Sequence, residues 1–206
     1  RSIPARASLL RAGLALVGVA ANAVMCAFCY GRQTVFFTPW SGYGINFSLR
    51  LYGFNALILV ATAGFALLCV LYSVAFFQKK PVSDRFFAYL LLTVALVNGA
   101  VLANNLVVLL FFWEGILLTL FLMILLGREG AWHTAVKAVI LVGISDLCMM
   151  LGIGLTAHLA GTLEMDQIHL PMDGWGATAF LLLVVGALGK AGAMPFHTWI
   201  PDAADD

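Results

Sequence analysis

The sequence has 206 residues, 63% hydrophobic and 10% charged, with a mean hydropathy of +1.01. A soluble domain of this size carries about 25% charged residues, so a water-covered surface is excluded and lipid must cover most of the chain. The formal net charge of +1, with no basic patch interleaved with aromatics, excludes a nucleic-acid partner.

Position 1 is Arg rather than Met, and the chain stops at Asp205-Asp206 directly after a Pro-containing segment. It therefore reads as a fragment of a longer protein. A signal peptide is the weaker reading of the start, because the apolar run after Arg11 is long for one and no clear cleavage site follows.

A membrane-crossing helix needs about 20 mostly apolar residues. Six runs meet this and predict an all-α, polytopic transmembrane bundle: Ser8–Tyr30, Leu51–Phe77, Arg85–Ala103, Asn104–Gly127, Ala131–Gly161 and Ala177–Ala193. The segment Gly31–Arg50, rich in Gly, Ser, Thr and Pro, reads as a loop outside the membrane or a small hairpin. Asn104-Asn105 reads as a tight polar turn, and the acidic segment Leu163–Gly174 as a surface loop. The chain divides at this turn into N-terminal helices and loop (1–103) and the start of a second unit (104–206). With alternating helices, Arg1, Arg6, Arg11, Lys79, Lys80, Arg85 and Arg128 share one side, which the positive-inside rule places in the cytoplasm together with the N-terminus.

Four charged residues lie inside the apolar runs: Glu114, Lys137, Asp146 and Lys190. Each costs about 2.5–3.5 kcal/mol at mid-membrane on insertion scales, and helix propensity requires none of them. Glu114 lies roughly 15 Å along its helix from Asn104, close to the bilayer centre. Gly115 and Thr119 beside it allow a partner helix to approach. It reads as a protonatable carboxylate on an ion path; the bland alternative is a structural ion pair between helices.

Lys190 stands among Gly186, Gly189 and Gly192, a thin face for close packing. Pro195 lacks an N–H, and its ring clashes with the carbonyl of Ala191, so the helix is expected to break just after Lys190. Broken helices at membrane depth are tolerated where protein or a water-filled cavity surrounds them. The alternative is a lysine snorkelling from a helix end. Lys137 and Asp146, nine residues apart on one helix, project from opposite faces, so each needs a partner elsewhere. Ser145 is placed to offer Asp146 a hydroxyl, and Lys137 is close enough to its helix start to snorkel.

Burial disfavours the charged form of a carboxylate or a lysine, and a nearby opposite charge restores it. A buried Glu–Lys contact that opens and closes therefore takes up and releases a proton without redox chemistry. His197, beside the break, and His133, one turn before Lys137, are candidate relays; a hydrogen-bonded boundary role is the plainer reading of each. Cys26, Cys29, Cys69 and Cys148 all sit in apolar runs. Cys26-Ala-Phe-Cys29 has the spacing of a redox or haem motif, but Tyr30 replaces the histidine of a haem site. No second ligand pair forms a metal centre, so packing is the reading for all four. No nucleotide-binding loop or catalytic triad is present.

Leu102-Ala-Asn-Asn-Leu-Val-Val-Leu-Leu-Phe-Phe-Trp-Glu-Gly resembles the Trp-Glu helix of the proton-conducting membrane transporter family. That family comprises the antiporter-like subunits of respiratory complex I, the Mrp-type cation/proton antiporters, and the membrane subunits of energy-converting hydrogenases and formate hydrogenlyase. Gly189-Lys-Ala-Gly-Ala-Met-Pro-Phe-His-Thr-Trp-Ile-Pro-Asp-Ala resembles its lysine signature, Ala135-Val-Lys-Ala with Ser145-Asp146 the helix between, and Leu71-Tyr-Ser-Val its N-terminal segment. The resemblance implies a carboxylate–lysine pair of Glu114 and Lys190, assisted by Asp146. It also implies an inverted-repeat transporter fold of which only most of the first repeat is present.

It further implies a proton-translocating subunit of an NADH–quinone oxidoreductase or related complex, carrying no cofactor itself; flavin, iron–sulfur and quinone sites would belong to partner membrane and peripheral subunits. The transported ion would be H⁺ or Na⁺, and the location a bacterial or archaeal inner membrane. The alternatives are a subunit of the Mrp-type antiporters and a structural scaffold without transport. Where complex I subunits continue from Pro-Asp-Ala to a Gly-Pro-Thr-Pro stretch, this chain reads Ala204-Asp205-Asp206, which leans toward a hydrogenase-type or divergent branch.

Overall fold

A computed structural model describes residues 5–42, 45–77 and 85–205. Six long helices follow the apolar runs: α1 (Ala5–Cys29), α2 (Gly53–Phe76), α3 (Phe86–Leu102), α4 (Leu106–Ile124), α5 (Trp132–Ala160) and α6 (Gly174–Lys190). Between α1 and α2 stand two antiparallel strands, β1 (Thr34–Gly42) and β2 (Ile45–Leu51), the hairpin the loop composition allowed. A 3-10 turn (Phe196–Thr198) and a short helix α7 (Trp199–Asp205) complete the chain. Arg1, Lys79 and Lys80, and the side chain of Arg6, lie outside the described residues.

Within α1, α2, α4 and α5, the segments Leu10–Cys29, Gly53–Phe76, Leu106–Ile124 and Trp132–Ala160 are long and apolar enough to cross a membrane. The apolar helices α3 and α6 have 17 residues each, about 25 Å at 1.5 Å per residue. Outward positions such as Leu14, Phe28, Phe65 and Leu68 are exposed, as lipid contact requires.

The helices form two groups. Ala15 and Val19 of α1 pack with Val70 of α2 and Phe87 of α3. Leu106 of α4 packs with Met149 and Ile153 of α5 and with Leu183 of α6. Helices α3 and α4 join the groups, with Gly115 against Leu96 and Gly99 against Phe112. Close approach is tightest between α5 and α6, where Gly186 meets Met149 and Gly189 meets Ser145.

The Asn104-Asn105 turn is buried rather than superficial, because the hairpin and the segment after α5 close over it. Asn104 N–H donates to Ser48 O at 2.9 Å and Leu106 N–H to Leu163 O at 3.0 Å. The Asn104 side chain donates to Glu164 (3.1 Å) and Asp166 (3.0 Å), and Asn105 Nδ2 donates to Glu164 (2.8 Å). Asn105 Oδ1 also accepts from Val107 N–H at 2.9 Å, capping α4. Arg50 pairs with Asp166 at 3.1 Å. The acidic segment is thereby a clamp on this end of the bundle.

Candidate functional site

Helix α6 stops at Lys190 for a local reason. Gly192 has φ +67°, its N–H donates to Gly189 O (3.1 Å), and Ala193 N–H donates to Leu188 O (2.9 Å). This paired set of bonds with a left-handed glycine is a Schellman termination, and Pro195 bars the helix from resuming at once. The break after Lys190 stands where the sequence places it.

Lys190 Nζ donates to Asp146 Oδ2 at 3.2 Å, with the two side chains only 13% and 4% exposed. The contact of Gly189 with Ser145 brings α6 close enough for this. Trp113 of α4 completes the group: its Nε1 donates to Asp146 Oδ1 at 2.7 Å, and Lys190 Nζ lies 5.0 Å from its ring centroid. Asp146 thus accepts a charged bond at one oxygen and a neutral one at the other, so neither is left unsatisfied. Ser145 Oγ instead donates to Val142 O at 2.6 Å, within its own helix.

Glu114, next to Trp113, forms no salt bridge among the described residues, and its Oε1 is buried without a hydrogen-bond partner. It stands within electrostatic range of both Asp146 and Lys190. The direct carboxylate partner of Lys190 is therefore Asp146, with Glu114 adjoining the pair. Three of the four intramembrane charges assemble at one place.

Lys137 does not join them. Its Nζ donates to Asp202 at 2.6 Å and to Thr198 O at 2.9 Å, fastening α7 to the start of α5. Those side chains are 41% and 46% exposed. His133 is also exposed at that end, with Nδ1 3.2 Å from Gly130 O and its ring against Trp132. His197 lies in the 3-10 turn after the break, its Nδ1 buried without a partner. Trp113 is the site residue the sequence reading did not single out. An indole N–H in hydrocarbon needs an acceptor, and that requirement was the available signal.

This arrangement defines a polytopic membrane protein with a broken helix and a buried Lys190–Asp146 ion pair that adjoins Glu114. Residues 103–205 match the family described as NADH:quinone oxidoreductase/Mrp antiporter, TM, and the chain belongs to that family. It is 31% identical over 176 residues to a Na⁺/H⁺ antiporter subunit of Alkalihalophilus pseudofirmus, covering 81% of this chain and 22% of that protein. Its fold is similar to a chain of respiratory complex I from Thermus thermophilus with bound NADH (TM-score 0.82, 24% identity, 94% of this chain and 42% of that one). It is likewise similar to a chain of the Mrp complex from Dietzia sp. (TM-score 0.76, 22% identity, 96% of this chain and 38% of that one). The chain thus spans about a fifth of that curated relative's length.

Proposed function

We propose that this chain is part of a membrane protein that translocates ions, and that Lys190, Asp146 and Glu114 carry the ion path. The observation that supports this reading is the Lys190–Asp146 ion pair at a helix break inside the membrane, beside a buried carboxylate whose Oε1 has no partner. Intramembrane ionisable groups are costly and mark ion pathways. With Lys190 on Asp146, Glu114 lacks a direct counter-charge. Movement of Lys190 toward Glu114 exchanges the two environments, so the carboxylate that loses the ammonium takes up a proton and the one that gains it releases one. Trp113 steadies Asp146 in either state. His197 passes protons at the break, and Lys137 and His133, near the start of α5, extend the same path, His133 as a second relay.

In this reading residues 1–103 pack beside the transporter unit that begins at 104, and the side carrying Arg11, Arg85 and Arg128 faces the cytoplasm. The partners are other membrane subunits of a multi-subunit complex. Two assemblies fit: a proton-pumping oxidoreductase, whose redox centres lie in partner subunits, and a cation/proton antiporter of the Mrp type. The sequence likeness to a Na⁺/H⁺ antiporter component favours the second; the complex I fold supports either.

Glu114→Gln in the full-length protein, assayed in inverted membrane vesicles with dyes for pH and for Na⁺, tests the path. The expected result is a loss of ion flux of at least about tenfold, equivalent to ~1.4 kcal/mol on the barrier, with normal assembly. Unchanged flux in an assembled complex eliminates Glu114 from transport and favours a purely structural charge cluster.

A further inference from the structure

Trp113 and Glu114 stand side by side on α4, and the contacts that fix their direction lie on the other side of that helix. Successive residues of an α-helix step round it by about 100°. Phe112 and Gly115 therefore share one side, where α3 packs with Gly99 against the Phe112 ring and Leu96 against Gly115. Trp113 and Glu114 fall on the two flanks of the opposite side. At a side-chain radius of ~5–6 Å, a rotation of α4 by about 30° moves each of them about 3 Å. One travels toward Asp146 and Lys190 while the other travels away. A hydrogen bond does not survive a displacement of that size.

Contacts from α3 and from the hairpin resist such a rotation. A methyl group on Gly99 would overlap the Phe112 ring, and one on Gly115 would lie 2.9 Å from Leu96 Cδ2. Asn98, beside Gly99, donates to Asn22 Oδ1 of α1 at 2.6 Å and so holds α3 in place along its axis. The hairpin adds an aromatic clasp. Trp40 of β1 meets Phe111 with ring centroids 5.5 Å apart, Phe47 of β2 meets Phe112 at 6.2 Å, and Trp40 meets Phe47 at 5.6 Å, all edge to face. Aromatic rings favour this geometry. The Phe112 ring is thus held between Gly99 and Phe47, and a methyl group at Gly99 is accommodated by moving α4.

We propose that Trp40, Phe47, Phe112 and Gly99 are positioning residues: by fixing the rotation of α4 they set how Glu114 and Trp113 stand toward Lys190 and Asp146. Their effect on Glu114 is a matter of geometry alone; their effect on ion flux rests on the ion path proposed above.

The test uses the full-length protein in its membrane complex. A hydrophobic carbodiimide adds to a carboxyl group in its protonated form, and the adduct on Glu114 is read by peptide mass spectrometry across a pH series, with ion flux measured in the same vesicles. Among the described residues, the charged groups in range of Glu114 are Asp146 of α5 and Lys190 of α6. A rotation of α4 changes its distance to both and so shifts the pH of half-maximal labelling. Trp40→Ala, at a half-exposed ring of the hairpin, leaves the helix contacts in place; it should shift that midpoint by about half a pH unit or more and lower flux about ten-fold. Gly99→Ala should shift the midpoint as well, and adding Phe112→Leu, which removes the opposing ring, should bring it back. Val35→Ala, on the same strand outside the clasp, should leave both readouts unchanged. An unshifted midpoint for Trp40→Ala in an assembled complex overturns the proposal, as does a Gly99→Ala shift that Phe112→Leu fails to reverse. A shifted midpoint with unchanged flux upholds the positioning of Glu114 and overturns the ion path instead.

Discussion

At Lys190 and Asp146, two charges that are costly apart become tolerable together, and the cost of breaking them is asymmetric. Removing one partner of a buried pair leaves an uncompensated charge and costs about 3–5 kcal/mol, so Asp146→Asn should lower the thermal stability of the reconstituted protein markedly. Trp113→Phe removes a donor from a carboxylate that stays buried, and should cost about 1–3 kcal/mol in the same unfolding assay. The Lys137–Asp202 pair is 41% and 46% exposed, and exposed pairs contribute about 0–1 kcal/mol; Lys137→Met should leave the melting temperature nearly unchanged. The three charges at the site were legible because each interrupts an apolar run. Which carboxylate meets the lysine was not legible: it depends on the rotation of α4 about its axis relative to α5 and α6, and apart from Glu114 and Thr119 the long side chains of α4 are apolar on every face.

At the scale of elements, the helix ends were readable where backbone chemistry fixes them. Gly192 and Pro195 stop α6, and Asn105 starts α4. The hairpin was less visible. Ile45-Asn-Phe-Ser-Leu-Arg-Leu alternates as a strand does, but β1 alternates poorly and carries Pro39. Gly189 has a packing role that the sequence anticipated as a thin face. A side chain there displaces Ser145 and so pushes α5 from α6. Gly189→Leu should therefore separate Lys190 from Asp146 and reduce assembled complex in the membrane, whereas Gly143→Ala on α5, which meets open space, should assemble normally. Western blotting of native gels distinguishes the two.

For the whole molecule, the buried Asn104-Asn105 turn ties together three segments distant in sequence: the hairpin, the α3–α4 junction and the loop after α5. No local pattern announces such a clamp, because each of its residues alone reads as a polar loop residue. Asn105→Leu removes a helix cap and a bond to Glu164 at once, and should leave the 162–168 segment open to limited proteolysis. At the opposite end of the bundle, α7 packs on α4 and α5. Helix α6 adds one more consequence. At about 25 Å it is shorter than the ~30 Å hydrocarbon layer, and in the proposed ion path, where the break admits water, the aqueous boundary moves inward to Lys190. Transmembrane voltage falls across the insulating layer rather than across water. A proton passing from that lysine to the remote face would then traverse most of the applied field, worth up to ~2.3 kcal/mol per 100 mV, and turnover should accelerate or slow with imposed voltage according to its sign.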